Sequence, residues 1–98
     1  MDFIVVLAKI KPKEGCLDSI VELSDELIFE SLQDEGNIDY QLLKPINEEN
    51  LTFVEKWESL DSLKKHMASP HFLNFSEESE EFVEDMTIEV IGADEISL

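Results

Sequence analysis

Residues Phe3 to Lys11 read F-I-V-V-L-A-K-I-K, apolar at odd and even positions alike until Lys9. Successive side chains of a strand point to opposite faces, so a strand of this kind has to be covered on both. The chain has only 98 residues in which to do it. A domain of that size buries roughly 60–65% of its unfolded surface and is marginal alone. One layer of helices can cover one face of a sheet. The other face calls for a second copy of the chain, so a homodimer is expected.

The remaining pattern supplies that layer. Pro12 and Gly15 break the first strand, and Leu17, Ile20, Val21, Ser24, Leu27, Ile28 and Leu32 then form one stripe at helical spacing, predicting a helix over 16–33. Gly36 is expected to end it. Ile38, Tyr40 and Leu42 alternate with polar residues as a second strand. After the breaker-rich 44–50, the residues Leu51, Phe53, Glu55 and Trp57 share one face of a third strand, antiparallel to the second. Residues 59–68 predict a short helix. Ser69 and Pro70 cap the next, whose inner stripe is Phe72, Phe75, Ser79, Phe82, Val83 and Met86. A last strand covers 87–91. The order βαββααβ is ferredoxin-like with its second helix split: an α+β fold with an antiparallel sheet and helices on one face. A single domain spans 1–98, with its core at about 2–92 and a tail at 93–98.

Charge and absences narrow the partners. Twenty-four acidic residues face seven lysines and no arginine, a net charge of −17. Nucleic acid needs a basic face to release counterions, and anionic membranes need one too, so neither is an expected partner. Polyphosphorylated substrates are disfavoured without arginine. Cys16 is the single cysteine, so no internal disulfide forms. The start of the chain carries no basic signal segment and no apolar run reaches membrane-spanning length, which predicts a cytoplasmic protein. The three glycines, Gly15, Gly36 and Gly92, lie too far apart for a phosphate loop. His66 and His71 stand i, i+5 across a proline break rather than i, i+4 on one helix, so no metal site is expected.

A few residues could carry chemistry. Glu55 is a carboxylate among inward-facing apolar neighbours, a placement that raises its pKa unless a partner compensates. It either orients His66 or pairs with a lysine such as Lys9. Trp57, on the same face, is either a wall for an aromatic ligand or core. Tyr40 could donate to a substrate oxygen, or simply be an amphipathic strand residue. His66 ends a helix, where the dipole favours a stronger base, whereas His71 begins one, which points to a structural role. Phe72 and Phe75 either roof a pocket or fill the core. Cys16 has no base near it and is taken as structural.

The blocks Glu55-Lys56-Trp57-Glu58-Ser59 and, after six residues, His66-Met67-Ala68-Ser69-Pro70-His71-Phe72, together with Asp34-Glu35-Gly36-Asn37-Ile38-Asp39-Tyr40, resemble the antibiotic biosynthesis monooxygenase family over roughly residues 2–92. The resemblance implies a dimeric α+β barrel, two ferredoxin-like subunits packed sheet to sheet. It further implies cofactor-independent oxidation of a quinol or polyphenol by molecular oxygen, with a small aromatic or quinone-like molecule as ligand. His66, Glu55 and Tyr40 would be the catalytic residues. Trp57, His71, Phe72, Phe75 and Ala8 would line the substrate pocket. Haem-degrading relatives are similar in outline, but the positions corresponding to their key residues look like Ala8, His66 and Ser76 here, so no haem and no other cofactor is expected. Other relatives isomerise small phosphorylated signalling compounds; Gly36-Asn37 resembles theirs, and Lys9 or Lys11 would be the phosphate contact. A binding module without turnover is the remaining alternative.

Overall fold

A computed structural model describes residues 1–98. Its elements are β1 (Phe3–Pro12), α1 (Leu17–Ser31), β2 (Asn37–Leu43), β3 (Leu51–Trp57), α2 (Leu60–Met67), α3 (Pro70–Ser79) and β4 (Val83–Ala93), with a 3₁₀ turn at Glu80–Phe82. The four strands form one antiparallel sheet in the order β2-β3-β1-β4. This is the ferredoxin-like α+β arrangement.

Register sorts the core onto one face. Ile4 lies opposite Trp57, Val6 opposite Glu55, Ala8 opposite Phe53 and Ile10 opposite Leu51. Tyr40 of β2 lies opposite Glu55 from the other side. All nine of these residues are buried, and the helices add Ile20, Leu27 and Leu63. The reverse face carries Phe3, Val5 and Leu7 of β1, half-buried, beside Val54 and Lys56 of β3 and Ile91 of β4. The both-face apolarity of β1 therefore divides into a covered face and an open one.

Two boundaries differ from those expected. The second half of the long C-terminal helix is a strand: α3 stops at Ser79, and Val83 and Met86 pair with Pro12 and Ile10. Ten residues of β1 offer hydrogen bonds that extend β4 well before Thr87, whereas Glu77, Glu78, Glu80 and Glu81 repel one another at a helix end, where the dipole also disfavours anions. Gly36 does not cap α1, which ends at Ser31. It leaves the tight turns that follow, with φ +80°, and delivers the chain into β2. On α2 the buried residues are Leu63 and His66, while Leu60 and Met67 are exposed. No helix is long and apolar enough to cross a membrane.

Candidate active site

Between the covered face of the sheet and helices α2 and α3 lies a cleft of about 550 Å³. Its floor is Val6, Ala8 and Ile10 of β1 with Phe53 and Glu55 of β3; Phe72 and Phe75 of α3 form the roof; Met86, Ile88 and Val90 of β4 flank it. Those three β4 side chains are each about half exposed, so the cleft is open on that side. A volume of this order falls within the range of small-molecule pockets. No lysine lines it.

The polar part of the lining comprises Ser76 and Ser79, the exposed carboxylates Glu77 and Glu80, and the buried side chains of Glu55, His66 and Tyr40. Glu55 is 5% exposed. Its Oε1 accepts a hydrogen bond of 3.0 Å from Trp57 Nε1–H. Burial pushes the Glu55 carboxyl up to about 7, the Trp57 donor opposing that only in part. Tyr40 is held well above the ordinary phenol range, first by burial and then by the Glu55 charge, so it remains a neutral donor. Ser31, on α1, acts on Tyr40 in the opposite sense. Its buried Oγ nevertheless lacks a hydrogen bond of proper geometry, so its influence is weak.

His66 connects the cleft to the exterior. Its Nε2 faces the Tyr40 hydroxyl at 3.4 Å, a long contact. Its Nδ1 lies 2.8 Å from Asp34 Oδ2, and His71 Nε2 lies 2.8 Å from the same oxygen. An ionised carboxylate only accepts, so both nitrogens carry hydrogen. A neutral His66 then has its lone pair on Nε2, toward Tyr40 and the cleft. Burial lowers the His66 pKa and outweighs the opposing pull of Asp34. The helix-end field expected to strengthen this base is overridden by desolvation.

Local sequence explains how these groups meet. Asp34 is pinned in its turn by Asp34 N–H to the Ser31 carbonyl and Asn37 N–H to its own carbonyl, each 3.1 Å. Glu58 N–H donates to the Gly36 carbonyl at 2.8 Å, tying that turn to the start of α2. At the α2–α3 corner, Ser69 Oγ caps α3 by accepting from Phe72 N–H and donates to the His66 carbonyl at 2.6 Å. The corner folds α3 back so that the His66 and His71 rings lie 5.7 Å apart.

The structure thus brings Glu55, His66 and Tyr40 to one cleft, with Ala8, Phe72 and Phe75 in its lining. Trp57 and His71 do not line it. Trp57 is fully buried beneath, where it holds Glu55. Neither expected partner of Glu55 is found: His66 is held by Asp34, and Lys9 lies 3.9 Å from Glu89 at the surface. Lys11 likewise reaches Glu84, 3.0 Å away. The Ser69-Pro70 break sets His66 and His71 on two helices, as their spacing predicts, and both rings reach Asp34. Asp34 itself was not singled out. Its sequence signals are its place at the head of the block 34–40 and a carboxylate two residues before Gly36 in a turn, and its partners are 32 and 37 residues away.

Fold and cleft together define a small α+β protein with a largely apolar cleft, open along β4, in whose wall Glu55 and His66 are buried. The family described as antibiotic biosynthesis monooxygenase matches residues 3–78. The chain belongs to that family. It is 34% identical over 82 residues to Putative monooxygenase YcnE of Bacillus subtilis (strain 168), covering 82% of this chain and 85% of that protein. Among solved structures, a conserved protein from Methanosarcina mazei Go1 is 31% identical with a TM-score of 0.88, covering 93% of this chain and 92% of that one. Rv0793 from Mycobacterium tuberculosis is 25% identical with a TM-score of 0.89, covering 97% and 99%.

Proposed function

We propose that the protein oxidises a quinol or related polyphenol with molecular oxygen, as a homodimer. The carrying observation is the pair Glu55 and His66, both almost wholly buried, in a cleft that is otherwise chiefly apolar. A quinol has two phenolic protons to lose, and the cleft offers two buried acceptors: a carboxyl pushed up to about 7 and an imidazole lone pair on Nε2. With substrate bound, the Tyr40 hydroxyl turns from its long contact with His66 Nε2 to donate to a substrate oxygen, which frees the Nε2 lone pair for a substrate proton.

The phenolate is the species that gives an electron to oxygen. The resulting ring radical and superoxide join at a ring carbon. Collapse of that adduct leaves one oxygen atom on the ring and releases the other as water. For a naphthoquinol the balance is quinol plus O₂ to hydroxynaphthoquinone plus water, with all four electrons drawn from the substrate. The apolar walls, with the open β4 side covered by the second subunit of the proposed dimer, keep solvent from the radical pair. The cleft's lack of lysine disfavours the phosphorylated-substrate alternative.

Oxygen uptake with a reduced naphthoquinone, corrected for spontaneous oxidation, tests this. Glu55→Gln and His66→Ala should each lower turnover about 10²–10⁴-fold while the protein stays folded. A wild type that never exceeds the spontaneous rate on a panel of quinols would move the protein to the non-catalytic binding class.

A further inference from the structure

We propose that Asp34, His66 and His71 form a divalent-metal site, and that filling it withdraws His66 from its role as a base on the far side of the ring. Two ring nitrogens aim at one point: His66 Nδ1 and His71 Nε2 each lie 2.8 Å from Asp34 Oδ2. The three ligand atoms all lie within 4.8 Å of one another. A zinc ion with bonds of about 2.0–2.1 Å separates tetrahedral ligand atoms by about 3.3 Å. To admit one, the carboxylate retreats from each nitrogen by about half an ångström and the two nitrogens, now within 4.8 Å of each other, settle to about the same separation.

The surroundings suit that adjustment. Asp34 sits on a turn with its side chain 20% exposed, and His71 is 14% exposed, so an ion has an entry path. His66 is the fixed member, its side chain 1% exposed and its other nitrogen facing the Tyr40 hydroxyl. A hydrogen-bond partner at the far ring nitrogen fixes the orientation of metal-bound imidazoles. Two imidazoles and one carboxylate match borderline ions such as zinc rather than magnesium or calcium, and leave a position for water.

The chemistry of the ring links this site to the cleft. Without metal, Asp34 keeps the His66 proton on Nδ1 and the lone pair on Nε2. A metal bound at Nδ1 needs the lone pair there. The proton lost from Nδ1 is regained at Nε2 and the imidazole stays neutral; His71, which also donates to Asp34 in the empty site, moves its proton from Nε2 to Nδ1 in the same way. Nε2 then donates toward Tyr40 and accepts nothing from a substrate. Only this last step rests on the proposed oxidation; the site and the tautomer change do not.

The test is calorimetric titration of Zn²⁺ into dialysed protein, with excess Mg²⁺ to occupy surface carboxylates. One zinc per chain is expected, with affinity at least tenfold lower in His71→Ala and in Asp34→Asn. Should His71→Ala fail to fold, His71→Gln takes its place. No zinc binding above the Mg²⁺-masked background, or unchanged affinity in either variant, overturns the site. Nitrogen-15 spectra of the His66 ring decide the switch: the proton should move from Nδ1 to Nε2 on adding zinc, and zinc binding with the proton still on Nδ1 overturns it. Zinc should also slow quinol oxidation by the wild type. If no quinol is ever oxidised, the proposed function fails, while the calorimetry and the spectra still decide the site.

Discussion

At Glu55, burial sets a conflict between stability and charge. The folded carboxyl titrates at about 7 against an ordinary value of 4.5. Between those values the folded state holds a proton that the unfolded chain has released, so stability falls as pH rises through that window. The whole effect amounts to about 3 kcal/mol by pH 8. Glu55→Gln keeps an oxygen for Trp57 and never ionises. Its melting temperature should match the wild type near pH 4.5 and exceed it increasingly up to pH 7 and above. A constant difference across pH would contradict this. His66 acts in the opposite sense, because its lowered pKa costs stability as pH falls below 6.5, so the variant-minus-wild-type difference is the quantity to plot. If Glu55 is the base, kcat/KM for a quinol should also rise with pH through about 7, and that limb should vanish in Glu55→Gln. The oddity of Glu55 was legible in the sequence, because alternation alone places a carboxylate beside Phe53 and Trp57. Asp34 was not, because its two partners reach it only through tertiary structure.

The elements that matter most to the site are its turns and corners. Gly36 has φ +80°, and a Cβ there would collide with the Ser62 side chain on α2. Gly36→Ala should therefore cost about 1–3 kcal/mol, read as a lower denaturation midpoint, and should loosen the turn that carries Asp34. Ser69→Ala removes the α3 cap and the bond to the His66 carbonyl, at a cost of about 1–2 kcal/mol. Chemical denaturation measures both; an unchanged midpoint in either would show that the corner is not held this way. Helix and strand order was legible from periodicity, and the Ser69-Pro70 start of α3 from capping chemistry. The switch from α3 to β4 was not. Phe82, Val83 and Met86 continue a helical stripe, and only pairing with β1 makes the last two strand residues.

For the molecule as a whole, a charge of −17 on 98 residues means self-repulsion in the compact state. Melting temperature should rise with added salt as screening grows, and salt independence would contradict this. The open sheet face of Phe3, Val5, Leu7 and Val54, and the exposed β4 from Glu84 to Gly92, leave apolar surface that a second copy would cover. Sedimentation should give a dimer at micromolar concentration; a monomer would end that proposal. The open face could be anticipated from β1, but what occupies it lies outside one chain's sequence. Trp57 is the only tryptophan, fully buried, with its indole bound to Glu55 and its ring centroid 4.6 Å from that of His66. The protein's ultraviolet emission is accordingly the signal of one indole beneath the cleft. It should be blue-shifted, change as Glu55 titrates near pH 7, and be quenched when an electron-accepting quinone enters. Occupancy can therefore be followed optically without any added label.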